Sequence, residues 1–427
     1  MAQKRIAYKT IGCKLNFAET STIVRDFEHN GFEVVDFSDI ADIYLINTCT
    51  VTANADKDCR KSVRQAIRNN PDAYIAMVGC YSQLHKDEAE KIDGVSIILG
   101  NEDKYGLFEY YINSDGNSIE YHGNMKNLDN FHSSYSEGER TRTFLKIQDG
   151  CDYECTYCTI LIARGKSRSG SIADTIKNAQ IIADSGVKEI VLTGVNTGDF
   201  GRSTNESFFE LIRKLDKVEG LERIRISSIE PNLLTNEMVD FIAQSKLFVP
   251  HFHVPLQSGS DNILADMRRR YQSEIYSDRV EYIKKVIPDC CIGVDVIVGF
   301  PTETDENFQE TYDFLKSLDI SYLHVFSYSE RENTKAAEYE NIVSIDQKKE
   351  RSKILHELSD EKRDTFYNQF IGKKRYVLFE NFHDGVNVCH TDNYIKVVLG
   401  RDEDLTNKIV SVKLVESKGD HMVGSYE

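Results

Sequence analysis

The chain has 427 residues, too many for one ordinary hydrophobic core, so two or three domains are expected. Apolar residues make up 40% and charged residues 28%, no apolar run approaches the length of a membrane span, and Met1-Ala2-Gln3-Lys4-Arg5 lacks a signal-peptide core, which argues against a membrane protein and for the cytoplasm. The formal net charge of −17 excludes non-specific nucleic-acid binding by the whole surface but not a local basic footprint, and ten cysteines in a reducing compartment point to metal or redox chemistry before disulfides.

In chain order, residues 5–12 (RIAYKTIG), 43–48 (IYLINT) and 74–79 (YIAMVG) are predicted strands running into Cys13, Cys49 and Cys80. Helical stretches lie between, over 19–30 and 55–69, and each cysteine-to-cysteine step is about one βαβ unit of roughly thirty residues. Parallel strands of one sheet end on one edge, where open α/β folds bind ligands, so the three cysteines are expected to converge there. A single cysteine at a strand end is most often a small core hydrophobe. Three in equivalent positions favour metal ligands. Cys59, inside the following helix, is expected to be structural, and Cys290, Cys291 and Cys389 to be core.

Residues 113–142 are polar and irregular and suggest a linker or substrate-contacting loop. A second βα series follows, with predicted strands at 143–148, 189–193, 223–227, 248–254, 291–298 and 321–326 and helices such as 172–185 and 307–318. That pattern gives a parallel sheet, an incomplete (βα)6 barrel with its site at the carboxyl ends of the strands. After the first of these strands comes Gly150-Cys151-Asp152-Tyr153-Glu154-Cys155-Thr156-Tyr157-Cys158, a C-x3-C-x2-C pattern. Three local thiolates for a cubane cluster leave one iron open for chemistry. Structural zinc would want a fourth Cys or His close by, and the nearest histidines, His122 and His132, lie well upstream. Asp295, inside the apolar run GVDVIVG, needs a function or a salt bridge. Finally, 348–368 is a charged helix, and 374–379, 394–399 and 408–415 are short strands separated by glycines, as in a small all-β barrel.

The cysteine loop resembles that of the radical S-adenosylmethionine (SAM) superfamily, with Tyr157 at the family's aromatic position. The strings Thr10–Asn16, Asn47–Val51 and Val78–Cys80 resemble the N-terminal domain of methylthiotransferases, which carries an auxiliary iron–sulfur cluster. The end of the chain resembles a TRAM RNA-binding barrel. The implied organisation is an N-terminal open parallel α/β domain (1–130), a partial (βα)6 radical SAM barrel (131–365) and a TRAM-like barrel (366–427).

The resemblance implies two [4Fe-4S] clusters, one on Cys151, Cys155 and Cys158 and one on Cys13, Cys49 and Cys80. It implies SAM near Tyr157, Gly194, Asn196, Ser228, Glu230 and Gln257. Arg164, Lys166 and Arg168, in the string Ala163–Ser169, would hold a phosphate or the modified base, although a solvated basic turn is the plainer account. Leu161 and Ile162 stand where most members have Pro and Tyr. Lys57, Arg60, Lys61, Arg64 and Arg68 on one helix face, Arg268-Arg269-Arg270, and Lys373-Lys374-Arg375 are candidate RNA contacts, against the ordinary reading of solvated faces.

The strings Gly12–Asn16 and Ala163–Ser169 look most like the branch acting on N6-threonylcarbamoyladenosine (t6A) beside the tRNA anticodon. That implies methylthiolation of adenine C2, with the base splayed out, an external electron donor such as flavodoxin, and a monomer. Two alternatives stay open. One is methylthiolation of a different tRNA adenosine or of a ribosomal-protein side chain. The other is an electron carrier, against which both trios lack the fourth cysteine a carrier uses.

Overall fold

A computed structural model describes residues 3–114, 120–122, 130–137 and 141–426. The segment expected to be polar and irregular, 113–142, thus lies partly outside the described residues. The chain divides into two compact units: Met1–Gly138 with Phe144–Glu154 and Cys158–Gly170, and Glu139–Thr143 with Cys155–Tyr157 and Ser171–Glu427.

The first unit is built on a six-stranded parallel sheet: β1 (Arg5–Thr10), β2 (Glu33–Val35), β3 (Ile43–Thr48), β4 (Tyr74–Gly79), β5 (Ile97–Leu99) and β6 (Glu120–His122), in spatial order β2-β1-β3-β4-β5-β6. Every residue of β3 is buried, as a central parallel strand covered on both faces demands. Tyr44, Ile46, Ile75 and Met77 pack on one face, and Ile43, Leu45, Ala76 and Val78 on the other. The helix Lys14–His29 starts five residues before its expected start at residue 19, with Cys13 extended at the N-cap position and its carbonyl accepting from the Phe17 amide at 3.3 Å. The helix Ala53–Asn69 starts where Thr52 accepts from the Ala55 amide. Phe27 lies between the rings of Phe32, Phe108 and Tyr111. Phe27→Ala is expected to cost about 3–5 kcal/mol, read as a lower urea midpoint for this unit.

Within the same unit, β7 (Ser134–Tyr135) pairs antiparallel with the end of β8 (Arg142–Lys146), and β9 (Gln148–Asp149) pairs with β10 (Arg168–Ser169) across the short helix Ile160–Arg164.

The second unit carries β11 (Glu189–Thr193), β12 (Arg223–Ile226), β13 (His251–His253), β14 (Cys291–Val298) and β15 (Tyr322–Ser327). They are parallel and adjacent in sequence order, with single bridges from Ile224 to Phe248 and from Ser228 to His253 joining β12 to β13. Helices alternate with them, including Ile172–Asp184, Phe208–Leu215, Asn236–Gln244, Ser273–Val286 and Asp305–Ser317. β13 is shorter than the expected 248–254, because Pro250 has no N–H to give a ladder and serves only as acceptor for the Cys291 amide.

The helix Ile345–Asn368, started by a Ser344–Gln347 capping box, leads into a closed barrel. Its strands are β16 (Lys374–His383), β17 (Val386–Thr391), β18 (Lys396–Gly400), β19 (Ile409–Ser417) and β20 (Met422–Ser425), in order β16-β17-β18-β20-β19. Val377, Phe379, Cys389, Val397, Val412, Leu414 and Met422 fill its interior. No helix of the described residues is long and apolar enough to cross a membrane.

Candidate active site

In the first unit, β1, β3 and β4 are neighbours in register, with Thr10 opposite Asn47 and Thr48 opposite Gly79. Their carboxyl ends therefore share one edge. Cys49 follows β3 directly, Cys80 follows β4 directly, and Cys13 lies three residues beyond β1 at the N-cap of Lys14–His29, the positive end of that helix. Gly12 has φ +106° and lies against Cys49, where a Cβ would sit 2.6 Å from the Cys49 Cβ, so only glycine lets the two chain ends approach. Asn16 Nδ2 donates to the carbonyls of Ile11 at 2.8 Å and Thr48 at 3.1 Å, tying both strand ends together. Asn101 Nδ2 donates to Cys80 Sγ at 3.6 Å. Burial pushes the Cys49 thiol up to about 12, with the neighbouring Cys80 and Cys13 adding to the shift. Cys59 is buried, its thiol turned to the Cys49 carbonyl, in keeping with a packing role.

Behind this edge lies a buried charge network. Glu19 receives Lys104 Nζ at 2.6 Å, Lys146 Nζ at 2.8 Å and Arg164 Nη1 at 3.0 Å. Asp149 receives Lys146 at 2.8 Å, Arg164 at 2.9 Å and Arg168 at 3.1 Å. Burial would raise the Glu19 carboxyl, but Arg164, Lys104 and Lys146 outweigh it and hold it well below its ordinary value. Four cations surround two carboxylates, an excess of two positive charges in the interior. Arg164 acts electrostatically on both Cys13 and Cys80, and Asn101 joins Cys80 to the Ala163 carbonyl. A net cationic interior beside three cysteines fits an anionic thiolate–iron group, against the burial that by itself holds the Cys13 and Cys49 thiols up.

The same network corrects the expectation that Arg164 and Arg168 hold substrate. Both are buried, with guanidiniums spent on Glu19, Asn16, Asp149 and the carbonyls of Asn130 and Arg164. Lys166 alone of the three is exposed.

In the cysteine loop, Cys151 and Cys158 belong to the first unit and Cys155 to the second. All three are half-buried. Gly150, with φ +68°, turns the chain against Lys166, where a Cβ would lie 2.0 Å from a carbonyl oxygen. Each sulfur accepts a hydrogen bond: Cys151 from the Tyr153 amide at 3.3 Å, Cys158 from the Ile160 amide at 3.4 Å, and Cys155 from Arg269 Nη1 at 3.1 Å. Burial raises the Cys155 thiol against the pull of Arg269, and three cysteines with no fourth in the loop suit a cluster with one open iron.

In the second unit, Arg269 organises several expected SAM residues. It donates to Tyr157 Oη at 3.4 Å and pairs with the Glu230 carboxylate, whose backbone N–H in turn donates to Asn196 Oδ1 at 3.4 Å. Burial raises the Glu230 carboxyl, against the pull of Arg269. Ser228 Oγ lies 2.9 Å from His253 Nδ1. Gln257 adopts φ +71° and bridges to β14, its N–H on the Asp295 carbonyl and its own carbonyl accepting from the Ile297 amide. Gly194 lies in the loop after β11. Arg269 was visible in the sequence only as one of three consecutive arginines, since its partners come from other loops.

Of the basic residues, Lys57, Lys61, Arg64 and Arg68 are exposed along one helix, and Arg60 is turned onto Tyr81 Oη. Arg268 and Arg270 are exposed. Lys373 and Lys374 are exposed, whereas Arg375 is paired with Asp289 at 2.8 Å and Asp392 at 2.9 Å.

A family model described as the radical SAM superfamily matches residues 145–315, and one described as uncharacterized protein family UPF0004 matches residues 5–100. The threonylcarbamoyladenosine tRNA methylthiotransferase MtaB of Bacillus subtilis (strain 168) is 41% identical, over 96% of this chain and 94% of its own. MtaB of Aquifex aeolicus (strain VF5) is 40% identical, over 92% and 96%. A tRNA-2-methylthio-N(6)-dimethylallyladenosine synthase of Alkaliphilus oremlandii (strain OhILAs) is 31% identical, over 97% and 91%. Among solved structures, the radical SAM methyltransferase TsrM of Kitasatospora setae shares the fold with a TM-score of 0.55 at 14% identity, over 76% of this chain and 72% of that one. On this similarity along nearly its whole length, the chain is an enzyme that belongs to the radical SAM methylthiotransferase family.

Proposed function

We propose that this enzyme converts t6A beside the tRNA anticodon to its 2-methylthio derivative. The observation that carries the reaction class is the pair of cysteine trios, one at the edge of β1, β3 and β4 and one in the loop 151–158. The similarity to MtaB enzymes supports the substrate.

Cys151, Cys155 and Cys158 would hold one [4Fe-4S] cluster, and Cys13, Cys49 and Cys80 a second. When bound, the clusters and SAM supply the radical and sulfur chemistry that replaces a strong aromatic C–H bond, which acid–base side chains cannot do. The protein's part is to hold and bias these groups. The amides of Tyr153 and Ile160 and the Arg269 guanidinium donate to the loop sulfurs, and Asn101 donates to Cys80 at the other trio. Tyr157, Gly194, Asn196, Ser228, Glu230 and Gln257 would contact SAM, with Glu230 oriented by Arg269. The functional division is 1–130 for sulfur, 131–365 for radical formation and 366–427 for RNA, with an external donor such as flavodoxin, in a cytoplasmic monomer.

The test is incubation of the reconstituted, reduced enzyme with SAM and either bulk tRNA or ribosomal protein, followed by mass analysis. Methylthio-t6A in the tRNA digest is expected. A methylthiolated protein side chain, with unmodified tRNA, would overturn the reading.

Phosphate grip by the terminal barrel should rest on Lys373 and Lys374, because Arg375 is already spent on two aspartates. Lys373→Ala/Lys374→Ala is expected to weaken tRNA binding and lower the slope of log K against log salt by roughly one for each phosphate left without its lysine. Binding titrations at two salt concentrations measure this.

A further inference from the structure

His253, Asp295 and His324 form a cluster to which the roles above assign nothing. Their ligand atoms all lie within 4.8 Å of one another. Asp295 sits in β14 between Val294 and Val296, both fully buried, and stands opposite His324 of β15 in the ladder. Asp295 Oδ1 accepts from His253 Nε2 at 2.7 Å and from His324 Nδ1 at 3.1 Å. Burial would raise the Asp295 carboxyl, but hydrogen bonds from both histidines reverse this and hold it far below its ordinary value.

The two histidines differ in what they have left to offer. His253 uses both ring nitrogens, Nε2 on Asp295 and Nδ1 on Ser228 Oγ. His324 uses only Nδ1, and its Nε2 meets no partner among the described residues. Its side chain is 50% exposed. Phe326, two residues on and so on the same face of the strand, is 47% exposed. An aromatic ring and an imidazole edge are thus presented side by side, with the imidazole fixed from behind by a carboxylate. That pairing suits a ligand with a flat ring and an acidic arm. The threonyl arm of t6A ends in a carboxylate, whereas a dimethylallyl arm is apolar and would leave the imidazole unanswered.

We propose that His324, oriented by Asp295 and His253, acts as an imidazolium, with Nδ1–H on Asp295 and Nε2–H on the carboxylate of the threonyl arm, while Phe326 stacks on the base, so that this cluster selects t6A over adenosines with apolar arms. The inference rests on the proposed substrate. A ring–aromatic stack is tolerant of sequence, whereas a hydrogen bond to a charged group rejects the analogue that lacks the charge.

The experiment uses the full-length reconstituted enzyme and two anticodon stem-loop RNAs, one carrying t6A and one carrying its primary amide in place of the carboxylate. The unchanged enzyme is expected to favour the acid by roughly tenfold to a hundredfold in Kd and in kcat/KM. His324→Leu should bind the acid as weakly as the amide. Phe326→Leu should weaken both RNAs together and keep their ratio. The acid–amide comparison on the unchanged enzyme needs no variant to fold. Equal handling of acid and amide, both methylthiolated, would overturn the clamp and leave the function standing. No methylthiolation of either RNA would overturn the function itself, and the clamp with it. A divalent ion found in the purified enzyme and lost in His324→Leu would overturn the clamp in favour of metal coordination.

Discussion

Cys155→Ala is expected to abolish formation of 5′-deoxyadenosine from SAM by the reduced, reconstituted enzyme, while circular dichroism and the iron proposed for Cys13, Cys49 and Cys80 remain. The sulfur is half-buried and accepts from Arg269, which also holds Glu230 and Tyr157. On the proposed ligand set, removing it would take away one of three ligands and the sulfur that Arg269 faces. The radical cluster then has two protein ligands, too few to leave one defined open iron. The other trio lies on a separate sheet edge in the first unit, so its iron should survive. Iron and sulfide analysis with electron paramagnetic resonance separates the two effects. Appreciable 5′-deoxyadenosine from the variant would mean that this cysteine is not a ligand. Replacing Cys13, Cys49 and Cys80 together is the converse experiment: SAM cleavage should persist and sulfur insertion should stop.

Much of the fold was legible because its strands are short apolar runs. β3, β4, β11 and β14 have the bounds expected from the sequence, since each is an uninterrupted run in a covered parallel sheet. β17 and β20 were missed: one alternates polar with apolar residues, and the other is four residues long with Gly424 inside it. The shared edge of β1, β3 and β4, where Cys13, Cys49 and Cys80 stand, was legible from the spacing of about thirty residues between them.

What surrounds them was not. Glu19, Lys104, Lys146 with Asp149, and Arg164 meet from four separate segments, and nothing local distinguishes a buried Lys from a surface one. Arg164 and Arg168 looked like substrate contacts because they stand in a family-like string beside the cysteine loop. Arg164 is instead paired with Glu19, far away in sequence, and Arg168 with Asp149. Asp295 was conspicuous inside an apolar strand, but its partners His253 and His324 are set by strand register, which composition does not reveal.

Glu19→Gln is expected to destabilise the first unit by about 3–5 kcal/mol, because it removes the charge and keeps the shape. Lys104, Lys146 and Arg164 would then converge on a neutral amide, all three buried. Against a typical total stability of about 5–15 kcal/mol, that loss threatens folding at moderate temperature. The effect has a pH signature. The native Glu19 carboxyl is held well below its ordinary 4.5, so its contribution is complete above that value and is lost as pH falls below it. The Gln variant should lack that part of the acid dependence, so its deficit relative to the unchanged protein should shrink as pH falls below 4.5. Asp149, also depressed, preserves a remaining slope in both. Adding Lys104→Met to Glu19→Gln should recover part of the loss, because one uncompensated cation is then gone, and the pair should be non-additive. Urea unfolding of the four proteins at neutral pH and near pH 4 measures all of this. Equal stability of Glu19→Gln and the unchanged protein at neutral pH would mean that solvent, and not Glu19, compensates the three cations.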